Sequence, residues 1–570
     1  MLRRVALLAA LLLLSLTAAW GAPERAPQAV FVPLDDRPST LLFVRQIARI
    51  GGGWLRTPPR AWLGRYLIPG NADAIGAWMA GTEATRCADA IVSADMVAYG
   101  GLVASRNAQT PLDVALRRLE ALDALAGPRR RLEVFAIIPR LSLLTSRREA
   151  PYERRLALWA TDPDASAPAD VPTDVVDEYL RVRARNLAVL MRLLDRVADG
   201  RIDRLVIGQD DSAGTGLHAR EQAQLRETIT ARQLGGRVML VSGADEIGMD
   251  LVTGWLARRY GWCPAFRVVY SDPQAATTIP PLESLPLHTA VADHIALAGG
   301  RLVATEPTGT RGEEGKAQGA SPIVTLFVQT PREKPFALPP ASARLQSDRF
   351  ALALRDAMRR GMRVALADLA LVNMADPFLA KAVMARVPLP RLEAYAAWNT
   401  PSNKLGTAIA QAVAHSLAAR FGDRWSASRA LASEQTHQAF LLARFVDDYR
   451  YQALVRARFR PETAGLPADA DPLLNLFGPV GLKIRLELLA YARRLFDKRF
   501  RGHSVWVPGL HRWAALEQAH AECVLPWLRL FEVEVRVALR IIPRPGPTLP
   551  PQRNLGPEPS PTEGPLQESR

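Results

Sequence analysis

Gly208-Gln-Asp-Asp211 closes the apolar run Leu205-Val-Ile207 and opens into Ser212-Ala-Gly-Thr-Gly216. Two adjacent carboxyls where a strand meets a loop are suited to acid-base chemistry. Successive side chains of a strand point to opposite faces, so Asp210 and Asp211 share a pocket only if the second lies past the strand end. The loop glycines allow that, because they free the backbone from strand geometry. The competing role is structural: one Asp, or Ser212, caps the helix expected to begin near Leu217.

Similar polar clusters follow other apolar runs. Asp35, Asp36 and Arg37 lie within Pro33-Leu-Asp-Asp-Arg-Pro38, and Asp95, Tyr99 and Arg106 follow Ala90–Ser93. Arg140 follows Val134–Ile138, and Asp245-Glu246 follows Val238–Val241. Later come Asn373 and Asp376, then Trp398, Asn399 and Asn403. Carboxylates interleaved with Arg, Tyr and Asn suit a polyol or sugar, whose hydroxyls need donors and acceptors in fixed directions. A Trp beside an Asn would serve a sugar ring's apolar face and hydroxyl edge. Each cluster also has a structural role open to it. Arg37 can pair with a carboxylate of its own turn, Tyr99-Gly100-Gly101 can be a sharp strand exit, Asp245-Glu246 can complement a helix dipole, and Trp398 can close a barrel floor.

These residues need a scaffold that brings loop after loop to one place. Between Ala29 and Asn399 the chain repeats a short apolar run, a polar loop and a helical stretch, the rhythm of a βα-repeating fold with parallel strands. Eight strands are expected: 29–32, 90–93, 134–138, 205–208, 238–241, 266–270, 323–328 and 364–367. The expected fold class is α/β, a (β/α)8-type barrel over 28–404, with a doubly wound open parallel sheet as the alternative. The barrel is preferred because polar residues follow nearly every strand, as they would around one mouth.

The flanking segments read differently. Residues 1–22, with Arg3-Arg4, an apolar run to Leu16 and small residues near Ala18–Ala22, match a secretory signal peptide. An exported protein of the periplasm or extracellular space is therefore expected, with no stable membrane span after cleavage. Asp162–Asp170 reads as a loop between helices, and Glu306–Ala320 as a Gly- and Glu-rich excursion before the seventh strand. From Leu405 to residue 542 the patterns are amphipathic, including Arg512–Ala538, and predict an α-helical domain. The Pro-, Gly-, Ser- and Glu-rich stretch 543–570 is expected to be disordered.

Composition narrows the chemistry. The 570 residues exceed one ordinary domain, and 48% hydrophobic content suffices for large cores. The formal charge is +15, but the basic residues are spread along the chain and only six are Lys against sixty-six Arg. Together with the export signal, that pattern excludes nucleic acid as the expected partner and leaves a small-molecule or polymeric carbohydrate. The oligomeric state is not legible. Cys87, Cys263 and Cys523 lack CxxC spacing and leave room for one disulfide with a remaining thiol. Eight histidines without HxxxH or HxH spacing argue against a His-rich metal centre, leaving an all-carboxylate Mg²⁺ or Ca²⁺ site as the open metal option. There is no GxSxG elbow, GxxxxGK[ST] loop or GxGxxG fingerprint, so no cofactor is expected.

Four strings together resemble a bacterial family catalogued as domain of unknown function 4127: Val32–Pro38, Ser93–Arg106, Gly208–Asp211 and Trp398–Gly406. The likeness runs over nearly all of residues 28–540 and implies no activity. A weaker resemblance is to barrel glycosidases of the O-GlcNAcase and bacterial N-acetylglucosaminidase type, which are similar in a paired Asp-Asp after the fourth strand and in late Trp-Asn segments. That resemblance implies substrate-assisted hydrolysis of an N-acetylhexosaminide. Asp210 would polarise the acetamido group that acts as nucleophile, and Asp211 would protonate the leaving oxygen. Asp211 must then hold its proton near neutral pH, and a neighbouring anion such as Asp210 favours that.

Overall fold

The computed structural model describes residues 26–143, 151–162, 164–303, 323–332, 340–463, 478–527 and 529–545. The expected leader, the excursion at 306–320 and the tail beyond residue 545 lie outside them.

All eight expected strands form, but among the described residues no sheet closes into a barrel. Among the described residues they divide between two open, all-parallel sheets. The first has the order β2-β1-β3-β4-β5-β6, built from Gln28–Val32 (β1), Trp54–Arg56 (β2), Asp89–Ser93 (β3), Arg131–Ile138 (β4), Arg204–Gln209 (β5) and Val238–Ser242 (β6). The second has the order β11-β10-β9-β7-β8, from Ala265–Tyr270 (β7), Arg301–Leu302 (β8), Ile323–Gln329 (β9), Arg363–Asp368 (β10) and Ala394–Ala396 (β11). Two features prevent closure. The short strand β2 occupies the free side of β1, where an eighth barrel strand would have to pair, and β6 makes no ladder with β7. The open parallel alternative is the closer description of each sheet.

The strands are apolar on both faces because both faces are covered. Val30, Val32, Val92, Val134, Leu205 and Ile207 pack on one side of the first sheet, against Leu190, Leu193 and Leu194 of the Thr173–Ala198 helix. Phe31, Ile91, Phe135, Val206 and Val241 face the other way. They share one apolar cluster with Val324, Leu326, Ala365 and Ala367 of the second sheet. Buried helices Ile247–Arg259, Leu287–Leu297 and Pro401–Phe421 contribute to this common layer. The boundary expected at 404 thus falls inside a helix of that shared core.

Beyond it come helices Ala427–Arg444 and Pro479–Arg499, with an 11-residue π-helical segment, Phe445–Val455, directly after the first. The helical expectation fails at 512–538. Arg512–Val524 (β13) and Glu534–Pro543 (β14) pair antiparallel, and Ser504–Val507 (β12) adds a third strand. Cross-strand pairing and packing outweigh the helix propensity of an Ala- and Glu-containing segment. The three cysteines are free, with Cys87 and Cys523 buried and Cys263 exposed.

Candidate acid-base site

In open parallel sheets, ligands bind outside the carboxyl ends of the strands, near the point where strand order reverses. In the first sheet that point lies between β1 and β3. The chain leaving β1 turns sharply at Asp35: the Arg37 amide donates to Asp35 Oδ1 at 3.1 Å, and the Thr40 hydroxyl donates to the same oxygen at 2.6 Å. Arg37 does pair within its own turn, with Nε donating to Asp35 Oδ2 at 2.9 Å. It also reaches across the sheet end, where its two terminal nitrogens donate to both oxygens of Asp245 at 2.7 and 2.6 Å. Asn399 Nδ2 donates to the same carboxylate at 3.2 Å. Because Asn399 follows β11, this bond ties the second sheet to the site of the first.

After β3 the chain forms the one-and-a-half-turn helix Ala94–Tyr99, capped by Ser93 and ended by Gly100 at φ +90°. A Cβ at Gly100 would lie 2.6 Å from the Gly70 carbonyl oxygen, so this sharp exit needs glycine for both its dihedral and its space. The turn places Asp95 in the interior, where its Oδ2 accepts the Ile137 amide at 3.0 Å. Burial pushes the Asp95 carboxyl up to about 7, against the pull of that amide. Arg106, from the same loop, is buried and donates to Asp210.

Asp210 and Asp211 face one space. The Arg140 guanidinium donates to Asp211 Oδ2 at 2.6 Å and approaches Asp210 Oδ2 to 4.0 Å. The backbone makes this possible, because Asp211 sits at φ +26°, past the strand and in the left-handed region. Neither carboxyl caps the following helix, Leu217–Ala231, whose N-cap is Gly216 and has no side-chain cap. The two acids are driven apart. Burial alone would raise Asp210, but the guanidiniums of Arg106 and Arg140 outweigh it and hold the group below its ordinary value. Burial, and then the Asp210 charge, raise Asp211 despite Arg140. The Asp211 side chain is 27% exposed and that of Asp210 10%, so the raised acid is the one that meets solvent.

Asp35, Asp95, Asp210, Asp211 and Asp245 thus gather with Arg37, Arg106 and Arg140. Five carboxyls against three guanidiniums leave the ensemble short of positive charge. The other expected site residues serve elsewhere. Asp36 turns away, accepting Trp527 Nε1 at 2.6 Å and Arg60 Nε at 3.3 Å. Tyr99 is buried under the Arg185 guanidinium, 4.5 Å from its ring centroid. Asp376 caps the Pro377–Arg386 helix and pairs with Arg332. Trp398 is 3% exposed and packs on Phe531, so its face is not offered to a ligand. Asn403 is buried in the first turn of the Pro401–Phe421 helix. Asn373 takes part through its backbone, donating to the Asn399 carbonyl at 3.0 Å.

Two participants were not among the expected site residues. Asp245 belongs to a strand-end cluster for which a helix-dipole role competes, and the structure gives it to Arg37 and Asn399 instead. Glu283, on the loop before Leu287–Leu297, accepts the Ser402 amide and hydroxyl at 2.7 Å each. Burial raises it to about 7, with Asp211 adding in the same direction. No local sequence signal marks it.

Fold and site define an α/β protein of two open parallel sheets, with a cluster of acids and arginines at the carboxyl ends of the first. The chain belongs to the family described as protein of unknown function (DUF4127), whose model matches residues 29–536. No curated protein and no solved structure matches it.

Proposed function

We propose that the protein is an exported acid-base hydrolase of the glycosidase kind, acting on a sugar of the cell envelope or surroundings. An N-acetylhexosaminide is the favoured substrate class. One observation carries this reading: a single guanidinium, Arg140, donates to Asp211 and lies 4.0 Å from the adjacent Asp210, and the surroundings of the two carboxyls push them in opposite directions. A carboxyl displaced upward beside one held below its ordinary value is the asymmetry that leaving-group protonation requires. Asp211 donates the proton to the leaving oxygen. Asp210, fixed by Arg106, remains anionic and orients the group that attacks, an acetamido oxygen in the substrate-assisted version.

The alternatives have weaker support. For a non-catalytic envelope protein that binds a carbohydrate or an anion, the motivating Arg37, Arg106 and Arg140 would have to be available to the ligand, yet each is already matched by a carboxylate. A metal hydrolase built on Asp35, Asp36 and Asp210 needs those carboxylates to converge, and Asp36 is engaged with Trp527 and Arg60. The test is a screen of the purified protein on aryl glycosides, including N-acetylhexosaminides, with and without Asp211→Asn. The variant should lose about 10²- to 10⁴-fold with poor leaving groups and less with good ones. Equal activity of the two proteins across the leaving-group series would remove Asp211 from the mechanism.

A further inference from the structure

At the amino-terminal ends of β1 and β3, the opposite end of the first sheet from the acid-base site, the structure has a cavity of about 430 Å³. That volume falls within the range of small-molecule sites, roughly 300–1,000 Å³. Arg56, Arg86 and Arg259 line it, together with Asp89, Cys87 and Tyr260. The charge is lopsided. Arg56 donates to the neutral Gln28 Oε1 at 3.3 Å, and Arg259 approaches Asp89 only to 4.0 Å. Arg86 is exposed and has no ion pair among the described residues. Here three guanidiniums face one carboxylate, the reverse of the balance at the acid-base site.

The walls are set by the fold. Arg259 is in the last turn of the Ile247–Arg259 helix, and Tyr260 directly after it is held by stacking on Phe421, with ring centroids 4.9 Å apart and planes 12° from parallel. Arg86 and Cys87 lead into β3, and Arg56 ends β2. Three separate segments therefore present a guanidinium to one concavity beside a fixed aromatic ring. Guanidinium groups bind oxyanions through paired N–H donors, and each oxygen-borne charge can engage a separate arginine.

We infer that this cavity binds a small, multiply charged oxyanion through Arg56, Arg86 and Arg259. The ligand carries either phosphate groups or several carboxylates, and two probes separate those sources. The full chain is titrated calorimetrically with sodium pyrophosphate and, separately, with citrate, at low and at physiological ionic strength. Arg86→Ser and Arg259→Ser are compared with Arg360→Ser, which removes an exposed arginine far along the chain. Arg86 and Arg259 are also exposed, so neither replacement disturbs the core. Saturable binding of one equivalent of either probe, weakened roughly tenfold by each cavity variant and unchanged by the control, supports the site. Binding of pyrophosphate alone assigns a phosphorylated ligand, and tighter binding of citrate assigns a polycarboxylate. Two outcomes overturn the inference: no saturable binding of either probe, or equal weakening by Arg360→Ser, which would mean general attraction to a basic chain. Because the cavity shares no residue with Asp210 or Asp211, either result leaves the proposed hydrolysis untouched.

Discussion

Asp245→Asn tests whether the acid-base site is held together by its longest-range ion pair. Arg37 is 6% exposed and Asp245 7%, and two hydrogen bonds of 2.7 and 2.6 Å join them. Removing one partner of a buried pair strands the other charge, at about 3–5 kcal/mol. Asparagine keeps one acceptor, and Arg37 retains Asp35 at 2.7 Å, so the expected cost is at the lower end, about 3 kcal/mol. Arg37→Gln alone should also destabilise, because among the described residues it leaves Asp245 with Asn399 and Ser39 as donors. The double variant should be more stable than the sum of the two losses implies, with a coupling of about 2 kcal/mol. Urea unfolding of the four proteins, followed by far-ultraviolet circular dichroism, supplies the cycle. Losses that add to within about 0.5 kcal/mol would show that the two residues do not depend on each other and would refute the reasoning.

Gly100→Ala should destabilise by about 2–4 kcal/mol, because it adds left-handed backbone strain to a methyl group forced against the Gly70 backbone. A melting temperature equal to that of the wild type would remove the steric argument. His415 makes a prediction about pH. Its Nδ1 is 2.7 Å from Glu393 and its ring stacks 3.6 Å from His437. Burial opposes its charge, but Glu393 and Glu434 outweigh that and raise it to about 9. A raised folded value means stability that is complete below the ordinary value of 6.5 and is lost as pH rises through about 9. The melting temperature of the wild type should therefore fall more between pH 6.5 and 9 than that of His415→Gln, and parallel curves would count against it.

The repeating apolar runs made the strands legible because a strand buried on both faces writes itself as a short block of Val, Ile and Leu. Their arrangement was not legible. Whether β6 pairs with β7 depends on neighbours far along the chain, and the three-residue strands β2 and β11 are too short to show a period. At the carboxyl end, Val535, Val537, Leu539 and Ile541 alternate strictly and could have been read as β14, whereas Arg512–Val524 gives no such warning. The site was legible to the extent that strand-end position sufficed, as for Asp95, Arg106, Arg140, Asp210 and Asp211. Position alone could not say which way Asp36 or Trp398 turns, because Trp527 and Phe531, their partners, lie more than a hundred residues away.

The bond from Trp527 to Asp36 spans 491 residues, and Arg60 reaches Glu534 across 474. The turn that carries Arg37 is among the first parts of the described chain to be made, yet its packing is completed by nearly the last. Closing so long a loop is entropically costly and slow, and early-made segments must wait with apolar surface uncovered. The brace on the turn that holds Arg37 is therefore completed only once residue 527 has been made. A chain cut short before residue 527 would retain every acid and arginine of the cluster but lose the segment that braces the turn holding Arg37.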